Sequence, residues 1–141
     1  VPYTHFDHIS DIGIRSEAPT LEGAFEDGVR AMLDVMFELD TIEEKVSVEI
    51  TAGANDVEAL FVEVLNEVLS VQGRDELALR SIETGEIKRT EGGFTFRGTA
   101  RGEKIDLEKH GVKTEVKGAT YSALKYERVD GMHVLQCVLD V

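Results

Sequence analysis

Cysteine occurs once in these 141 residues, at Cys137. No disulfide can form within the chain, and no cysteine-rich zinc site can be built from it. Cys137 lies in the apolar run LQCVL and is expected to be an inert core thiol. Proline occurs twice, at Pro2 and Pro19. No proline-rich linker, repeat or low-complexity tract interrupts the chain, so it reads as a single domain over residues 1–141. No apolar stretch approaches the roughly 18 residues that span a bilayer, and no basic segment followed by an apolar block opens the chain. A cytoplasmic location without membrane contact is the expectation. Basic residues are scarce as well, with 15 Lys and Arg against 28 Asp and Glu for a formal net charge of −13. Such a surface repels a phosphate backbone, so direct nucleic-acid binding is not expected. Solubility alone, a basic protein partner and bound cations are all compatible with the charge.

What is present is an ordinary globular balance, 42% hydrophobic and 30% charged. The opening stretch HFDHISDIGIR places Ile12 and Ile14 on one parity and Asp11, Gly13 and Arg15 on the other, the period-2 pattern of one strand or two short ones. SEAPT breaks that pattern, and Thr20 stands as N-cap of a helix whose stripe is Leu21, Phe25, Val29, Met32, Met36 and Leu39. Gly23 and Gly28 within it suggest close packing against a sheet. VSVEI, residues 46–50, alternates as a strand, and AGAND reads as a turn. Asn55 and Glu58 have capping-box spacing before a second helix with Val57, Leu60, Phe61, Val64, Leu65 and Val68 on one side. From Leu77 the pattern becomes a meander: LALRSI, GEIKRT and FTFRGTA, the last two joined through Glu91-Gly92-Gly93. Asp130-Gly131 predicts a two-residue type I′ hairpin between strands 121–129 and 132–141. Regular register then sets Val129 opposite Met132, Tyr121 opposite Asp140 and Ala123 opposite Val138. The order implies an α+β fold with two helices packed on a largely antiparallel sheet.

Three groupings carry possible chemistry. His5, His8 and Asp11 recur at spacing three, which on a helix would suit zinc, but strand geometry sends the two histidines to opposite faces. Asp140 is penultimate in the apolar strand LQCVLDV, so its side chain and a main-chain carboxylate at Val141 would give a hard-oxygen site for Ca²⁺, Mg²⁺ or Mn²⁺. A frayed end with a solvated aspartate is the plain alternative. Lys109, His110, Lys113, Lys117 and Lys125 make residues 109–126 the one locally basic stretch, either a solvated turn and strand or a contact surface. No phosphate-cradling glycine loop, nucleophile elbow or Cys-His arrangement occurs, so no catalytic residues are assigned.

FDHISDIGIR resembles the F-D-H-T-A-D-I-G-I-R signature of the archease family, and TLEGAFEDGVRAML resembles the capped helix that follows it there. KHGVKTEVKGATYSAL is similar to that family's K-H-x-x-x-T-E-V-K-A-x-T-Y block, LFVEVLNEVL to its second helix and LDV to its last strand. Ile9, Ser10 and Gly118 depart from threonine, alanine and alanine, leaving the carboxylates in place. The resemblance covers the whole chain in order. It implies an α+β sandwich that is not itself an enzyme but an accessory factor for an RtcB-type RNA-splicing ligase, promoting ligase guanylylation and multiple turnover in tRNA splicing and RNA repair. It also implies a divalent-metal site at Asp11, Asp140 and Val141, with Ca²⁺ expected in crystals and Mg²⁺ or Mn²⁺ in the working complex. The expected partner is the ligase; no oligomeric state is implied. A chaperone or general protein-binding module is the competing class, and should expose a sizeable apolar patch. A hydrolase built on His8 and Asp11 is a third reading.

Overall fold

Thr20 is still extended, and its Oγ1 accepts the Gly23 N–H at 3.0 Å, opening helix α1 (Leu21–Met36). This bond satisfies one of the donors that a first helical turn leaves unpaired. The computed structural model describes residues 2–8 and 11–141, the side chains of Asp7 and His8 excepted. In chain order the elements are β1 (Tyr3–His8), β2 (Asp11–Ala18), α1, a 3₁₀ turn at Leu39–Thr41, β3 (Val46–Ala54), α2 (Val57–Asp75), β4 (Leu77–Thr90), β5 (Gly93–Lys104), β6 (Gly118–Val129) and β7 (Met132–Asp140).

The fold is α+β, with its strands divided between two antiparallel sheets: one of four strands in the order β1-β2-β7-β6, and one of three in the order β3-β5-β4. Each helix touches both sheets, α1 through β2 and β4, α2 through β3 and β6. That placement explains why burial exceeds a single stripe. Phe25, Val29 and Met32 are fully buried as expected, but so are Ala24, Ala31 and Leu33 from the rest of the helix surface. A helix covered on two sides needs apolar groups on both. Phe25 packs edge-on to Phe61 of α2 at 5.6 Å and stacks on Phe96 of β5 at 5.7 Å, tying the layers together. A Cβ on Gly28 would lie 2.3 Å from the Phe61 ring, so the glycine gives the two helices their close approach.

Several boundaries differ from the sequence reading. AGAND is not all turn, because β3 runs on to Ala54, pairing Gly53 with Thr95 and Ala54 with Phe94. The N-cap of α2 is Asp56, whose Oδ1 accepts from Ala59 N–H at 2.8 Å, one residue beyond Asn55. LALRSI and GEIKRT form one strand, β4, with irregular register between Leu79 and Ser81 and between Thr84 and Glu86.

The terminal hairpin turns at Asp130 and Gly131, both at positive φ (51° and 79°), as a type I′ turn requires. Val129 faces Met132, but the regular register fails farther along. Lys125 pairs with Gln136 and Thr120 with Val138, so Tyr121 through Leu124 face Cys137 alone. Ala123 takes φ +52° in this bulge, and its carbonyl accepts from Gln136 Nε2 at 3.0 Å. Tyr121 therefore does not face Asp140, and Ala123 does not face Val138. Gly118 takes the place opposite Asp140.

Candidate metal site at the paired strand ends

β2 alternates so that Ile14, Ser16 and Ala18 are buried toward the helices, with Ser16 Oγ donating to Ala24 O at 2.7 Å. Asp11, Gly13 and Arg15 thus fall on the outer face. β7 pairs with β2 so that Asp11 lies directly opposite Asp140. Such partners set their Cβ atoms about 4.5–5.5 Å apart on one face. Asp140 is exposed and Asp11 half-buried. The Asp140 carbonyl accepts the Lys117 N–H at 2.8 Å, so β6 and its approach hold the β7 end from the other side. Val141 is half-buried and packs against the main core, which fixes its main-chain carbonyl carbon beside Asp140.

Among the described residues no three His, Cys, Asp or Glu side chains are placed to hold a cation; the carboxylates that the register sets opposite one another at this strand end are Asp11 and Asp140. The set is oxygen-only and accessible, which suits a hard divalent ion and disfavours zinc. His5 does not join it: its Nε2 donates to Ala31 O of α1 at 3.1 Å, on the helix side of the sheet. His8 pairs with Asp11 in backbone register, but its side chain lies outside the described residues, and so does the hydrolase reading that relied on it. Between β1, β2 and the end of α1 a cavity of about 400 Å³ is lined by His5, Phe6, Asp34, Lys113 and Thr114 among others. Its charged groups, Lys113 and Asp34, face each other at 3.7 Å. Cys137 is fully buried and its thiol is pushed up to about 12 by desolvation, which fits an inert core residue.

The basic stretch is largely tied into ion pairs. Lys109 Nζ reaches Glu43 at 2.7 Å and Glu103 at 2.9 Å, Lys113 meets Asp34 and Glu38, and Lys125 meets Glu127. His110 is fully buried; its Nδ1 accepts from Asp106 N–H at 3.0 Å, leaving the ring proton on Nε2. That nitrogen lies 3.1 Å from Glu103 Oε2. Glu103 was not singled out in the sequence, because its partners stand as far away as Glu43, 60 residues earlier. The Glu43 N–H and then Lys109 hold its carboxyl down at about 2, against the opposing effect of burial. A depressed carboxylate stabilises the fold above its ordinary value near 4.5 and loses that contribution as pH falls through about 2. Glu103→Gln is therefore expected to lower the melting temperature at pH 7, with the gap from wild type narrowing between pH 4.5 and pH 2. Parallel melting curves across that range would contradict this if the gap stayed constant.

The model of the Archease protein family (MTH1598/TM1083) matches residues 3–141. The chain belongs to the archease family. The archease of Pyrococcus furiosus is 39% identical over 140 residues, covering 99% of this chain and 98% of that protein. The archease of Methanopyrus kandleri is 34% identical over 141 residues, covering both in full. Among solved structures, protein 1598 of Methanobacterium thermoautotrophicum superposes with a TM-score of 0.83 at 25% identity, covering 99% of each chain. An archease from Thermotoga maritima, described as a possible chaperone, gives a TM-score of 0.60 at 21% identity over 96% of this chain and 94% of its own. The archease fold thus accounts for both sheets and both helices. No helix among the described residues is long and apolar enough to cross a membrane.

Proposed function

We propose that this archease is an accessory factor that activates an RtcB-type RNA-splicing ligase, promoting ligase guanylylation and multiple turnover, and that Asp11, Asp140 and the main chain of Val141 hold a divalent cation for that task. The observation that carries the reading is the cross-strand placement of Asp11 opposite Asp140 at an exposed sheet end. Two carboxylates on one face attract a cation more strongly than either alone, and a main-chain oxygen of Val141 would complete a hard-ligand set. Mg²⁺ or Mn²⁺ held there would bring concentrated positive charge to phosphate oxygens. The chain's own part is to fix the donors: β2 and β7 set their separation, and Val141 anchors the end against the core. The net charge of −13 supports approach to a basic RNA-processing enzyme without competition for RNA. A cytoplasmic setting fits the same reading.

The alternative class, a chaperone or general protein-binding module, has in its favour the Thermotoga protein, which is described as a possible chaperone. Its expected apolar patch is not concentrated on one element. Among the described residues the large exposed apolar side chains belong to separate segments: Val46 on β3; Ile105, Leu107 and Val112 in the connection before β6; and Tyr121 and Val129 on β6. The two readings separate in a multiple-turnover ligation assay with a cognate ligase. Activation predicts that substoichiometric wild-type protein raises the number of ligations per ligase and that Asp11→Ala abolishes the gain. Equal gain from Asp11→Ala would remove the carboxylate pair from the account, and suppression of aggregation without gain in turnover would favour the chaperone.

A further inference from the structure

A strand at the edge of a sheet leaves main-chain N–H and C=O groups facing outward, a template for another strand unless something blocks it. The two sheets have four such edges, β1 and β6 in one, β3 and β4 in the other. Two of them are closed by the helices. β4 is broken by two register shifts, and its Leu79 and Thr84 N–H groups are taken at 2.8 Å by Gln72 Oε1 of α2 and Glu26 Oε2 of α1. β6 carries the bulge at Tyr121 to Leu124, and Asn66 of α2 stands in for a neighbouring strand: its Oδ1 accepts the Ala119 N–H at 2.8 Å and its Nδ2 donates to Ala119 O at 3.2 Å. β1 spans six residues and is held to α1 through His5. β3 has none of these devices. It pairs with β5 without a break over all nine residues, and among the described residues no hydrogen bond from outside β5 reaches the main chain of Val46–Ala54. It contains no proline and a single charge, Glu49.

The open edge is complementary to itself. Two copies related by a two-fold axis at Ile50 would pair all nine residues antiparallel, each meeting the residue as far beyond Ile50 as it lies before it. On the helix side Val48 would meet Ala52 and Ile50 its own copy, and at the strand end Val46, the exposed large apolar residue of β3, would meet Ala54. On the outer, exposed face Ser47 would meet Gly53, and Glu49 would meet Thr51. The single charge therefore never faces itself. Thr51 already has the exposed Arg97 of β5 as its neighbour on the other side, so Glu49 of each copy would reach over a small threonine toward Arg97 of the other.

We propose that β3 is a strand-addition site whose occupant is β3 of a second copy of this chain, joined antiparallel about Ile50 so that two three-stranded sheets become one of six strands. Repulsion between two chains that each carry a net charge of −13 opposes the contact, and salt screens that repulsion. The test is sedimentation velocity of the full chain, from micromolar to millimolar concentration and at low and high sodium chloride. A monomer–dimer equilibrium that tightens with salt is expected. Thr51→Glu sets two like-charge pairs against Glu49 across the axis and is expected to weaken the dimer about tenfold. Thr51→Glu/Glu49→Lys makes both pairs attractive and should recover most of that loss. Both side chains are exposed, so each variant should keep the melting temperature of the dilute wild type. Hydrogen exchange of the wild type locates the contact without any substitution: raising the concentration should slow exchange in Val46–Ala54 and leave Leu77–Thr90 and Gly118–Val129 unchanged. A wild type that stays monomeric throughout, or a dimer that Thr51→Glu does not weaken, would overturn the proposal. Protection of β3 only on mixing with a cognate ligase would overturn it as well, assigning the edge to a strand of that protein.

Discussion

Asp140→Asn is expected to cut the stimulation of an RtcB-type ligase by at least about tenfold while leaving the fold intact. Outer partners that merely orient metal ligands are worth about 10–100-fold in affinity, so loss of a direct donor should cost no less. The asparagine keeps the shape of the side chain and removes one of the two facing charges. Asp140 is exposed, and the strand-end hydrogen bond from Lys117 goes to its main-chain carbonyl. A substitution of that kind typically shifts stability by no more than about 0.5 kcal/mol. Asp11→Asn should act in the same direction, and the two together should cost less than the product of the single effects, since both serve one ion. Ligation time courses with each variant, set beside melting curves, check the set. Wild-type stimulation by Asp140→Asn would show that the paired strand ends are not where this archease acts.

Phe61→Ala should be the most damaging single truncation for stability, lowering it by about 3–5 kcal/mol. The ring is fully buried, edge-on to Phe25, and seated on Gly28, at the meeting point of both helices. The same geometry makes a sharper statement about Gly28. In the wild type Gly28→Ala forces a methyl to 2.3 Å from the Phe61 ring and should destabilise by about 1–3 kcal/mol through overpacking. With Phe61 truncated the methyl has room, and the change should be neutral or stabilising by up to about 1 kcal/mol, the helix preference of alanine over glycine. Urea denaturation of the two single variants and the double one measures the coupling. Additive effects would mean that the ring does not depend on the glycine.

The elements most legible in the sequence were those whose signal is local. Thr20 caps α1 because its hydroxyl reaches an amide three residues on, and Asp130-Gly131 turns the last hairpin because both residues tolerate positive φ. The alternation of Ile12 and Ile14 was enough to place Asp11 on a strand and on the face away from them. The reading failed where distant partners decide. Gly53 and Ala54 have weak strand preference, yet pairing with Thr95 and Phe94 extends β3 through them. Nothing within Tyr121 to Leu124 announces a bulge; the need to bring Gly118 opposite Asp140 and Tyr121 to Glu63, where its hydroxyl donates at 2.9 Å, appears only in the folded chain. The division into two sheets was concealed because one buried stripe per helix was traced, while Ala31 and Leu33 of α1 and Val62 of α2 mark a second covered side. The candidate site shows the same split. Asp140 stood out by its position and Asp11 through the family resemblance, whereas their place directly opposite one another required the register of β2 against β7.

Single-turnover guanylylation of a cognate RtcB-type ligase, with GTP and Mn²⁺ in excess and with or without this protein, tests the central claim most directly. The account predicts faster formation of ligase-linked guanylate with the wild-type chain and no acceleration with the Asp11→Asn/Asp140→Asn double variant. An unchanged rate with the wild type, or equal acceleration by the double variant, would contradict it.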